Sequence, residues 1–133
     1  MSPAARVPTA VAVALDAVAI LVFAAVGRRS HAEALAVVGV LRTAWPFLAG
    51  AAAGWLATRT RRVPAASLAG GLPVWLGALV LGMLLRVVTG AGTAGSFVVV
   101  AAVALAVLLL GWRLVAAALP ARGRPAEAAG RRP

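Results

Sequence analysis

VPTAVAVALDAVAILVFAAV, residues 7–26, decides the fold. Its twenty residues contain a single charged side chain, Asp16, and no alternation of apolar and polar positions. At ~1.5 Å per residue, about twenty helical residues cross a ~30 Å hydrocarbon layer. Three further runs have the same character: Leu35–Ala57, Leu68–Val88 and Ala94–Leu119. A backbone in hydrocarbon must satisfy its own hydrogen bonds, so helices or closed barrels are the only options. The continuity of these runs excludes barrel strands. The expected fold is therefore all-α, a four-helix transmembrane bundle spanning residues 1–120, followed by a disordered basic tail at 121–133.

Composition points the same way. The chain of 133 residues is 63% hydrophobic and 12% charged, with a mean hydropathy of +1.01. A soluble domain carries about 25% charged residues. The loops and tails are too short to form a separate catalytic unit. All thirteen basic residues are arginines, which reads as coding bias in an Ala-, Val- and Gly-rich chain. The net charge of +10 is spread over helix ends and tails, a pattern for membrane topology and anionic headgroups, with no nucleic acid implied. Cysteine is absent, which rules out disulfides and thiolate chemistry. Arg6 before the first run and Ala24–Gly27 after it resemble a signal peptide. The length of the run and Asp16 at its middle argue for a retained helix.

Arginine distribution gives the orientation. Alternating spans put Arg6, Arg59, Arg61, Arg62, Arg113, Arg122, Arg124, Arg131 and Arg132 on one side. Arg28, Arg29, Arg42 and Arg86 fall on the other. The heavier side is expected to be cytoplasmic, with the bundle in the cytoplasmic membrane and both termini on its cytoplasmic side. Gly27 suits the left-handed position closing the first helix. Trp55 and Trp112, each near arginines, read as interfacial anchors. Pro46 is expected to kink the second helix or to begin its straight part.

Asp16 is the sharpest chemical signal, because an unpaired charge at the middle of a span costs about 2.5–3.5 kcal/mol on insertion scales. Counted from helix ends near Val26 and Ala34, Arg42 lies within about 3 Å of the depth of Asp16. Arg86 is the other cation at that end. The expectation is an inward-facing Asp16 approached by Arg42 or Arg86 in a polar cluster. Arg28, Arg29 and His31, in GRRSH, form a candidate contact for an anionic lipid or an acidic partner. Gly50 and Gly54, four apart, form a small-residue packing face. Close packing within one bundle is the first reading of it and a homo-oligomer the second. His31 and Glu33 are too few for a metal site. No nucleophile–base pair, phosphate loop or cofactor pattern is present, so the chain is expected to be neither an enzyme nor a cofactor carrier.

Asp16, GRRSH at 27–31, AWPFLAG at 44–50, GW at 54–55 and GMLLR at 82–86 with the glycine-rich turn after it together resemble an uncharacterised membrane family. That family is catalogued as a domain of unknown function and is frequent in actinobacteria. The resemblance covers about residues 9–119 and implies four spans without implying an activity. Small multidrug-resistance exporters are similar in topology, with four helices and a carboxylate in the first. Theirs is a glutamate, and the tyrosine common in their pockets is absent here. Two functions follow as expectations: a non-enzymatic protein acting through packing or contacts with lipid and partners, or a small proton- or cation-coupled transporter using Asp16.

Overall fold

The computed structural model describes residues 6–30 and 36–119. Four helices account for most of them: α1 (Thr9–Ser30), α2 (Val37–Thr60), α3 (Leu68–Val88) and α4 (Gly95–Ala118). No strand occurs among the described residues. All four are long and apolar enough to cross a membrane. Only 22–33% of each span is buried inside the chain, so most of its apolar surface faces outward, as a lipid solvent requires. His31, Glu33 and the basic tail from Ala121 onward lie outside the described residues.

The helices form a closed ring. Each packs on its chain neighbours, α1 closes against α4, and the backbones of diagonal pairs stay apart, bridged only by side chains such as Phe47 and Phe97 among the described residues. Alanine and glycine set how close they come. Ala12, Ala19, Ala24, Ala44, Ala51, Ala78 and Ala101 are all buried. The tightest pair is α2 with α3. A Cβ on Gly50 would strike the backbone of Gly77, and one on Gly54 would stand 2.5 Å from the Cα of Val74. Small side chains here let two backbones meet directly, gaining dispersion contacts that lipid tails do not replace. The other half of the interior is aromatic: Phe23 meets Phe47 edge-on at 5.1 Å, and Phe47 meets Phe97 at 6.4 Å.

Three boundaries differ from the sequence reading. α1 runs on to Ser30, so Gly27 is helical and does not close it. Arg28 crosses to α2, where its guanidinium lies against Gly39 and its Nη1 donates to the Thr43 hydroxyl at 3.3 Å. α2 starts at Val37 and continues through the buried Pro46 to Thr60. Its C-terminus is closed by Arg62, with φ 55. The Arg62 amide donates to Arg59 O and the Val63 amide to Thr58 O, the paired bonds of a glycine-type helix stop. An L-residue with a side chain pays about 1–2 kcal/mol for that left-handed conformation. Ser67 begins α3, its Oγ accepting from the Gly70 amide at 3.0 Å and donating to Pro64 O.

Gly54→Leu is expected to destabilise the bundle by at least about 1–3 kcal/mol, because the opposing atoms are backbone and cannot turn aside. Gly27→Leu, whose Cβ meets nothing within 4 Å, should change little. Thermal unfolding of the two variants in detergent provides the comparison.

Candidate functional site

Asp16 is completely buried in the ring, seven residues into α1. Both carboxylate oxygens are occupied. Arg113 on α4 grips them end-on, Nη1 to Oδ1 at 2.7 Å and Nη2 to Oδ2 at 2.9 Å. Two indoles complete the shell: Trp112 Nε1 donates to Oδ1 and Trp55 Nε1 to Oδ2, each at 2.9 Å. Four charge-assisted donors thus meet the four strongest acceptor directions of one carboxylate. Three helices, α1, α2 and α4, contribute to the cluster.

Arg113 is itself buried, and its remaining bonds hold the cluster to the rest of the fold. Nη1 also donates to Leu109 O at 2.7 Å, one turn earlier on α4. Nε donates to Ala65 O at 2.9 Å, reaching the connection between α2 and α3. The side chain passes over Gly71 of α3, where a Cβ would stand 2.6 Å from Arg113 Cδ. Beside it, the Thr58 hydroxyl shares its one hydrogen between the carbonyls of Gly54 and Gly70, at 3.0 and 2.9 Å, tying α2 to α3 at the same level. No buried side-chain nitrogen or oxygen lacks a hydrogen-bond partner among the described residues.

The expected cluster of Asp16 with Arg42 and Arg86 is not what forms, and helix register explains it. With α1 ending at Ser30 and α2 starting at Val37, Asp16 is fourteen residues from that end and Arg42 only five. The depths differ by about 13 Å. Arg42 is exposed near the start of α2. Arg86 serves the turn between α3 and α4: Nε donates to Gly92 O at 3.0 Å, Nη2 to Ala91 O at 3.1 Å, and the guanidinium lies 4.5 Å from the Phe97 ring centre. That turn needs the left-handed Gly90 and Gly92. The pair is legible only from the opposite end of the bundle. Asp16 is seven residues from Thr9 and Arg113 five from Ala118, a depth difference of about 3 Å. Trp55 and Trp112 are correspondingly not surface anchors; their indole N–H groups point to Asp16.

Gly50 and Gly54 face α3 inside the chain. Arg28 is half-buried against α2, whereas Arg29 is exposed at the end of α1.

Above the ion pair a cavity of about 310 Å³ opens toward the end of the bundle where α1 begins and α2 and α4 finish. Arg113 and Trp55 are among its lining residues; Arg59 and Arg62 contribute from the end of α2.

Removing one member of the pair strands the other in the interior. Asp16→Leu and Arg113→Met should each destabilise the protein by about 3–5 kcal/mol. Because an apolar pair replaces a buried ion pair at little cost, the double variant should be more stable than at least one of the singles. Equal and additive losses across this cycle, measured by unfolding in detergent, would show that the two residues do not act together.

No curated protein and no solved structure matches the chain. A family match covers residues 13–116, from just before Asp16 to just after Arg113, so both members of the pair lie within it. The chain belongs to that family, described as a protein of unknown function (DUF3054).

Proposed function

We propose that this is a multi-pass protein of the cytoplasmic membrane, with both termini inside, that works without catalysis through packing and through contacts with lipid or a partner. The observation that carries the reading is the saturation of Asp16. A proton or cation carrier must release and rebind its cargo at a reachable carboxylate. Here a fork of two guanidinium donors and two indoles takes up both oxygens, in a side chain with no exposure. Such a group supports a fold.

Orientation rests on the arginines. Arg113 is consumed in the buried pair, which leaves eight arginines on the inner side against four on the outer. Contact with anionic lipid falls to exposed arginines at the span ends, Arg29 on one side and Arg59, Arg61 and Arg62 on the other. A homo-oligomer would need a face other than Gly50 and Gly54, which α3 already covers.

One observation favours transport as the second reading: the cavity reaches the Arg113 side of the pair. In that case Asp16 would have to exchange Arg113 for cargo during each cycle.

A reporter active only in the cytoplasm, fused after Pro133, is expected to be active. Silence in an expressed and inserted protein would overturn the orientation. Asp16→Asn is expected to lower stability, with Arg113→Met restoring part of it. If Asp16→Asn instead left stability intact and abolished a substrate-driven flux in liposomes, the transporter reading would replace the structural one.

A further inference from the structure

We propose that the cavity at the Arg59–Arg62 end of the bundle is a binding site for a phosphate group. Its wall combines Arg59, Arg62 and Arg113 with the indole-bearing Trp55, the threonines Thr9 and Thr58, and apolar Val13 and Val74.

Charge is the first reason. Asp16 is the one carboxylate among the described residues, and Arg113 neutralises it. Arg59 and Arg62 therefore stand over a neutral floor, two cations without an acidic counterpart in the wall. Helix dipoles do not alter this balance. Two N-termini (α1 and α3) and two C-termini (α2 and α4) share this end of the bundle, so their partial charges of about half a unit largely cancel. The guanidiniums set the local field, and their planar forks suit phosphate oxygens.

The backbone of Arg62 is the second reason. At a helix stop where glycine is free of strain, this chain holds an arginine at φ 55. Packing does not explain that choice, because Arg62 is exposed. What the arginine adds over glycine is a guanidinium on an exposed residue that lines the cavity. Strain kept at a ligand-facing residue is a recurring mark of a functional position.

Size and depth are the third. A volume of about 310 Å³ lies at the lower end of small-molecule sites, roomy for a phosphate with a small polar substituent and too small for acyl chains as well. The mouth lies at the end of four membrane-length helices, the level of phospholipid headgroups if the membrane reading above holds, on which this inference rests. The same chemistry would accept a soluble phosphate from the aqueous side.

The test uses the full chain purified in detergent, with phosphatidylglycerol, phosphatidylcholine and inorganic phosphate as probes. Native mass spectrometry reads the lipids, and thermal unfolding reads the inorganic ion. The variants are Arg62→Gly, which removes the guanidinium and relieves the backbone, Arg59→Gln, and Arg42→Gln, exposed at the opposite end, as a control. Without ligand, Arg62→Gly should unfold at the wild-type temperature or above it. Retention of one phosphatidylglycerol at least tenfold more tightly than phosphatidylcholine, with that preference lost in Arg62→Gly and Arg59→Gln but kept in Arg42→Gln, supports a headgroup site. Stabilisation of wild type by millimolar inorganic phosphate, absent in the same two variants and without a lipid preference, supports a soluble phosphate. If neither probe binds, or if Arg62→Gly and Arg59→Gln bind as well as wild type, or if Arg42→Gln loses as much, the proposal fails. Failure of the membrane reading would be visible separately, as chain recovered in the soluble fraction of lysed cells.

Discussion

A carboxylate and a guanidinium that would each be intolerable alone in hydrocarbon are held together at 2.7 Å, and the helix ring is arranged around that necessity. Ninety-seven residues separate Asp16 from Arg113, so their pairing brings the first helix to the last and closes the ring. The pair also fixes height. Sliding α1 along α4 by one turn, ~5.4 Å, would separate the charges and leave two indole N–H groups without an acceptor. Apolar faces of alanine and valine have no comparable preference among registers, since lipid tails solvate them nearly as well as a neighbouring helix does. In this chain the polar cluster supplies specificity that the apolar surface lacks.

The small residues make that cluster geometrically possible. Gly71 leaves the volume through which the Arg113 side chain passes, and Gly70 brings its own carbonyl to Thr58. Farther along, Gly50, Gly54 and Gly77 bring α2 and α3 into backbone contact. The result is an asymmetric ring: one edge is clamped by glycine, and the α1–α4 edge is fastened by charge. Phe23, Phe47 and Phe97 fill the end away from the ion pair, where Gly82 yields room for the Phe47 ring. Polar floor and aromatic plug divide the interior, and the cavity lies on the polar side.

Span number, span position and the interior placement of Asp16 were legible because hydropathy and the cost of an exposed charge depend on composition alone. The partner of Asp16 was not legible, and the reason is register. Depth has to be counted from a helix end, and two small boundary shifts, α1 extending to Ser30 and α2 starting at Val37, separated Arg42 from the carboxylate. Charge counting alone puts Arg113 on the inner flank together with the topogenic arginines. Its closeness to the end of α4 concealed that Asp16 is equally close to the start of α1. A tryptophan beside an arginine near a span end reads as a headgroup anchor in most sequences. Here Trp55 and Trp112 are at similar depth to Asp16, and a buried indole N–H needs an acceptor, which the carboxylate supplies. The useful signal was the matching of all three from the same end.

Saturation of Asp16 also bears on how the protein responds to its surroundings. Arg113 holds the carboxylate through two N–H groups, and its Nε is committed to the carbonyl of Ala65 in the α2–α3 connection. Any movement of that connection therefore pulls on the ion pair, and any rotation of α4 pulls on the connection. The same segment, from Arg59 to Ala65, carries the strained Arg62 and forms one wall of the cavity. Occupancy of the cavity would thus be felt at Ala65 O, and through it at the group that closes the ring. The path runs through the Arg113 hydrogen bonds to Ala65 O and Asp16. This wall would carry an event at the cavity into the interior of the bundle.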